Sequence, residues 1–125
     1  MLSLSIFLSV LWQLESSCRL HPPSNGDCVG PLQIKRVFVD EVNRLIGRRV
    51  YEYEDRKSLW KSKRIVGSWI GQRFPGATEV DVYKIALEYT AGPTGARNPT
   101  AEEREYANRA VVLYQAIKRG GEWKR

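Results

Sequence analysis

Apolar residues fill most of positions 1–14 at helical spacing: Ile6, Val10 and Leu14 fall on one stripe, Phe7 and Leu11 on the next. This pattern predicts a buried helix. After a loop rich in Pro, Ser, Asn and Gly, Pro31 and Leu32 lead into a second helix, with Phe38, Val42, Leu45 and Ile46 on one face and Gly47 as its stop. A polar, turn-like stretch over 51–55 precedes a third helix, whose Leu59, Val66, Trp69 and Ile70 share a face until Pro75-Gly76 breaks it. Thr78 and Asp81 form the cap of a fourth helix. Its Val80, Val82, Tyr83, Ile85, Ala86, Leu87 and Tyr89 leave hardly a polar side, as suits a helix in the middle of a domain. A loop over 92–99 then gives way to Thr100-Ala101-Glu102-Glu103, a capping-box pattern opening the last helix, with Ala107, Ala110, Val111 and Tyr114 as its core stripe.

Period-two alternation is not sustained anywhere, and only Val50-Tyr51-Glu52-Tyr53 has the makings of a brief strand. The expected class is mainly α. One domain over 1–119, with at most a very short β element, is expected to end in a loose tail over 120–125. A chain of 125 residues that is 42% hydrophobic has room for one real core and is short for two domains of ordinary size. The apolar start has neither a basic residue before its run nor a small-x-small cleavage pattern, and it is too short to span a bilayer. Glu15, just before Ser16-Ser17-Cys18, also argues against a lipoprotein site, so the segment is read as structure. No export signal and no transmembrane segment are expected.

Charge changes the picture only a little. A formal net charge of +6 favours an anionic partner, whether nucleic acid, an acidic membrane face or an acidic wall polymer. The basic residues are dispersed, densest at Lys35-Arg36, Arg48-Arg49 and Lys61-Ser62-Lys63-Arg64, and solvated helix faces account for most of them. A basic nucleic-acid binder is therefore a remote alternative. Cys18 and Cys28 bracket the first loop; a disulfide there would pin the segment after Glu15, and free thiols are the equal alternative. Cys18 and His21 have the spacing of half a metal site, but one further cysteine and no second histidine do not complete a ligand set. No metal and no cofactor are expected.

The first candidate for chemistry is Glu15, a carboxylate at the end of an apolar helix with Trp12 one turn before it. An apolar wall would hold such a carboxyl protonated near neutral pH, ready to donate to a leaving oxygen. Taken alone, a glutamate at a helix end is more often merely solvated. The order of the motifs adds to this. Leu14-Glu15-Ser16, Val29-Gly30-Pro31-Leu32-Gln33-Ile34, Ala86-Leu87-Glu88-Tyr89-Thr90-Ala91-Gly92-Pro93 and Tyr106-Ala107-Asn108-Arg109 through Leu113-Tyr114 succeed one another with compatible spacing. Together they resemble the lytic transglycosylase and goose-type lysozyme superfamily, over most of the chain from about Trp12 to Tyr114.

That resemblance implies a lysozyme-like helical fold with a cleft and peptidoglycan glycan strands as the partner. It gives Glu15 the role of general acid, Ser16 that of its supporting hydroxyl, and Gln33, Tyr89 and Thr90 places near the sugar. Gly30, Gly92 and Pro93 would be architectural. Thr90 stands where the family usually has Asn, which leaves a hydroxyl but removes the amide that would meet an acetamido group. The resemblance further implies cleavage of the MurNAc-GlcNAc β-1,4 bond with a single Glu, the muramic acid's own hydroxyl attacking to give a 1,6-anhydro product. Hydrolysis is the neighbouring alternative and needs a second carboxylate to position water, with Asp27 and Asp40 as the candidates. A non-catalytic glycan-binding or structural protein of the same fold is a further alternative. The site of action would be the bacterial wall or periplasm, with the chain acting as a monomer; a virus-encoded lysis or tail-associated enzyme, a mobile-element protein and a chain whose true start lies upstream all fit the absence of an export signal.

Overall fold

The structure is a computed structural model, and it describes residues 1–123, with side-chain exposure through residue 120. Among these residues it is mainly α: five α-helices and two short 3₁₀ turns, with no strand longer than an isolated bridge. Helix α1 spans Leu4–Ser16, α2 Arg36–Ile46, α3 Leu59–Arg73, α4 Val82–Gly95 and α5 Ala101–Trp123. None is long and apolar enough to cross a membrane. Helix α5 thus reaches into the segment expected as a loose tail, of which Lys124 and Arg125 lie outside the described residues. The chain divides into two compact units, one formed by Leu11–Pro75 and the other by Met1–Val10 with the chain from Gly76 onward.

In the Leu11–Pro75 unit, α2 packs on α3, and the 3₁₀ turn Tyr53–Lys57 packs on α3. Leu11, Leu32, Ile34, Val39, Val42, Ile65, Val66, Trp69 and Ile70 are buried in it. Helix α2 ends as its sequence dictates, with Gly47 in the left-handed region donating its N–H to the carbonyl of Asn43. Helix α3 begins at Ser58, whose hydroxyl accepts the N–H of Lys61. Residues 50–53 form no strand. The N–H groups of Val50 and Tyr51 donate to the side-chain oxygen of Asn43, both at 3.0 Å, and this local partner replaces a ladder. The β-like pairings lie instead between Asn25 and Cys28 and between Val29 and Ile34.

In the other unit α4 packs on α5. Val82, Ile85, Ala86 and Leu87 are buried on α4, and of the stripe expected on α5 Ala107, Ala110 and Tyr114 are buried while Val111 is half-buried. Thr78 and Asp81 form a reciprocal cap on the 3₁₀ turn Glu79–Asp81 that leads into α4. Val80 sits in that turn rather than on the helix, and it is 87% exposed against the all-round burial its sequence suggests. Thr100 and Glu103 cap α5 reciprocally: the N–H of Thr100 donates to Glu103 at 2.8 Å and the N–H of Glu103 to Thr100 at 3.1 Å. The buried phenol of Tyr114 accepts the N–H of Ser3 at 2.8 Å and donates to Glu79 at 2.8 Å. Lys118 donates to the other oxygen of the same carboxylate at 2.7 Å. Lys118 and Tyr114 together hold the Glu79 carboxyl below its usual range, while burial pushes the Tyr114 phenol up.

Candidate functional site

Glu15 occupies the last turn of α1, half-buried, and is the only charged residue of that helix. Two successive non-glycine residues, Ser17 and Cys18, follow in the left-handed region at φ 53° and 60°. Such a pair costs roughly 1–2 kcal/mol per residue and persists only where surrounding contacts enforce it. Those contacts are present. The N–H groups of Ser17 and Cys18 return to the carbonyls of Gln13 and Trp12, at 3.0 and 3.2 Å. The indole N–H of Trp12 donates to the carbonyl of Arg19 at 2.8 Å, and the Arg19 guanidinium donates to the carbonyl of Ser16 at 2.9 Å.

Ser16 is buried, and its hydroxyl faces the carbonyls of Trp12 and Arg19 at 3.4 and 3.2 Å. It therefore fastens the turn that follows Glu15. Cys18 and Cys28 are free thiols, and the disulfide that the sequence left open is not formed. The Cys18 thiol instead donates to the side-chain oxygen of Gln13 at 3.2 Å.

Gly30-Pro31-Leu32-Gln33 does not run directly into the second helix. Gly30 to Gln33 make a tight turn closed by paired hydrogen bonds between Val29 and Ile34, at 3.0 and 3.2 Å, and α2 begins only at Arg36. Gly30 is required twice over. Its φ is +81°, and a Cβ there would lie 1.7 Å from the carbonyl oxygen of Arg56. Gln33 also adopts a left-handed backbone, φ 50°, and its side-chain amide donates back to the carbonyl of Gly30 at 2.9 Å. Ser17, Cys18 and Gln33 are the non-glycine positions of positive φ among the described residues, so this backbone strain lies just after the Leu14-Glu15-Ser16 motif and within the Val29–Ile34 motif.

The two aspartates are engaged elsewhere. Asp27 accepts the N–H of Arg36 at 2.8 Å, its guanidinium at 2.9 Å and Arg56 at 3.3 Å. The Arg36 N–H above all, then the two arginine side chains, hold its carboxyl below the usual range. Asp27 thereby anchors the start of α2. Asp40 accepts the phenolic hydroxyl of Tyr53 at 2.8 Å, which pushes the Tyr53 phenol up. Arg56, which the sequence reading missed, is buried and donates to the carbonyls of Tyr53, Asp27 and Ile34 at 2.9 to 3.1 Å. Its partners are mainly backbone oxygens, which leave no mark in a sequence pattern.

Tyr89, Thr90, Gly92 and Pro93 belong to the other unit, on α4. Tyr89 is half-buried and Thr90 exposed. At Gly92 the helix kinks through φ 75°, ψ 166°, a conformation essentially restricted to glycine, before one more turn, residues 93–95, occupies part of the expected loop. Glu88, buried beside Tyr89, received no role from the sequence; its signal was a carboxylate within the apolar run of α4.

The basic run over 61–64 is not one solvated stripe. Lys61 lies 3.6 Å from Asp55, and Ser62 is buried with its hydroxyl on the carbonyl of Arg56 at 2.8 Å. Lys63 stands over the ring of Trp12, 5.4 Å from its centroid, while Arg64 is exposed. Among the described residues no three His, Cys, Asp or Glu side chains gather as a metal ion would need. No protein-family model, no curated protein and no solved structure matches this chain.

Proposed function

We propose that this chain cleaves peptidoglycan glycan strands at the MurNAc-GlcNAc β-1,4 bond, with Glu15 as general acid and then base. One observation carries the reading: the only charged residue of α1 is a half-buried carboxylate in its last turn, ahead of a strained and tightly fastened turn. A carboxylate there meets the negative end of the helix dipole, which by itself costs about 0.3–1 kcal/mol. In the proposed reaction Glu15 gives its proton to the glycosidic oxygen as the bond to the anomeric carbon breaks. The carboxylate then takes the proton of the muramic acid's 6-hydroxyl as that oxygen attacks the same carbon, closing a 1,6-anhydro ring.

The single-carboxylate route is preferred to hydrolysis because Asp27 and Asp40, the candidates to orient a water, are bound to Arg36 and Arg56 and to Tyr53. The pairing of Lys61 with Asp55 and the burial of Ser62 interrupt the basic run over 61–64, on which the case for nucleic acid partly rested.

Mass analysis of the fragments released from purified peptidoglycan tests the proposal. The native chain is expected to release anhydro-muropeptides, and Glu15→Gln, which keeps the shape but not the acid, to be slower by about 10²–10⁴-fold. Reducing-end products would replace the anhydro route by hydrolysis. A native chain that releases nothing beside an active control enzyme would sink the catalytic reading.

A further inference from the structure

Like the Arg19 guanidinium, the Lys63 ammonium lies against a residue of the Glu15 turn, and among the described residues no acidic side chain is paired with it. Its neighbours in the sequence differ. Lys61 is paired with Asp55 and Lys57 with Glu54, whereas Lys63 is half-buried over the ring of Trp12. That ring is itself fixed through its N–H to the carbonyl of Arg19. Helix α3, which carries Lys63, is fixed nearby through Ser62 to the backbone of Arg56. The cation is therefore held on a pinned platform.

A ring face attracts an ammonium but accepts none of its three N–H groups in the manner of an oxygen, so the capacity to bind an anion remains. Trp12 and Glu15 are three residues apart on α1, neighbours on one helix face with roughly 5–6 Å between their Cβ atoms. The cation thus stands over the ring of a residue one turn before the proposed acid.

Building on the reading of Glu15 as the acid, we propose that Lys63 binds a carboxylate of the substrate. That assigns the site to an acidic, peptide-bearing amino-sugar strand and discriminates against neutral N-acetylglucosamine polymers. A charge-assisted bond to the ammonium supplies the preference, and a strand without the carboxylate leaves the cation unanswered.

The test is equilibrium binding to the full chain carrying Glu15→Gln, so that no ligand is cleaved. The probes are a muramyl disaccharide-dipeptide with free carboxylates, the same molecule with its carboxylates amidated, and a chitin tetrasaccharide. The acidic probe is expected to bind at least about ten-fold tighter than the other two, consistent with the strength of ion-assisted hydrogen bonds. Adding Lys63→Met should bring the ratio of acidic to amidated affinity close to one, and Lys63→Arg should restore most of it. Equal weakening of all three probes by Lys63→Met would mean that the lysine only supports Trp12, and an unchanged ratio would mean that it binds nothing; either result overturns the proposal. Those two results leave glycan binding standing. Failure of every probe to bind, together with an inactive native chain in the fragment assay, would instead remove the glycan reading and this proposal with it.

Discussion

Replacing Gly30 by alanine places a methyl carbon 1.7 Å from the carbonyl oxygen of Arg56, about half of any tolerable contact, and holds a non-glycine residue at φ +81°. The left-handed backbone costs about 1–2 kcal/mol. Forcing the neighbouring backbone aside costs about 1–3 kcal/mol more, as overpacking usually does. The displaced carbonyl is also the acceptor of the buried Ser62 hydroxyl, and losing it leaves a desolvated donor at a further cost of about 1–3 kcal/mol. The expected loss is roughly 3–8 kcal/mol, a large share of the 5–15 kcal/mol typical of a domain. Gly47→Ala separates the causes, because Gly47 has φ +93° but nothing within 4 Å of its absent Cβ. That control should show the backbone cost alone, about 1–2 kcal/mol. Urea denaturation followed by tryptophan fluorescence measures both, with Trp12, Trp60 and Trp69 reporting from residues 11–75. If the two variants unfold within about 1 kcal/mol of each other, the argument from close approach is wrong, since strain alone would then explain Gly30.

Two further perturbations probe the polar scaffold. Asp27 has its carboxyl held below the ordinary value, so its contribution is complete above the unfolded-state value of about 4 and is lost as pH falls through the lower folded value. The native chain should therefore lose stability below about pH 4, and Asp27→Asn should be less stable near neutrality yet fall less steeply on acidification, as read from urea midpoints across that range. Tyr114→Phe removes the acceptor of the Ser3 N–H and a donor to Glu79, at an expected cost of about 1–3 kcal/mol. A double-mutant cycle with Glu79→Gln should return a clear coupling between the two side chains, and strict additivity would count against the hydrogen bond.

What the sequence revealed was what its neighbours in the chain decide. The stop of α2 at Gly47 and the reciprocal cap of Thr100 and Glu103 are local devices, and they stand where their spacing put them, whereas α2 buries Val39 and Val42 and leaves Phe38, Leu45 and Ile46 of the expected stripe half-buried. Val80 went astray because an apolar residue beside a cap was counted with the helix, whereas the 3₁₀ turn places it outward. The brief strand at 50–53 gave way to the side chain of Asn43, a competitor that periodicity does not register. Glu15 was visible as a charge ending an apolar run. The turn that fastens it was not, because left-handed Ser17 and Cys18 are held by contacts with Gln13 and Trp12 and have no glycine signal. Lys63 was hidden within a charge run whose members, turned about 100° per residue, go to different partners.

The contact between Gly30 and the backbone of Arg56 also has a topological meaning. It joins two points of the chain like the neck of a loop, and α2 with its flanking turns, residues 31–55, is the excursion between them. Closing such a neck depends only weakly on the length enclosed, about 0.6 kcal/mol for each doubling. The exposed Arg48-Arg49 turn is therefore a place where residues can be gained or lost with little penalty, while the neck itself tolerates no added atom. Variation in chain length and variation in side-chain size thus fall under opposite rules within one short stretch.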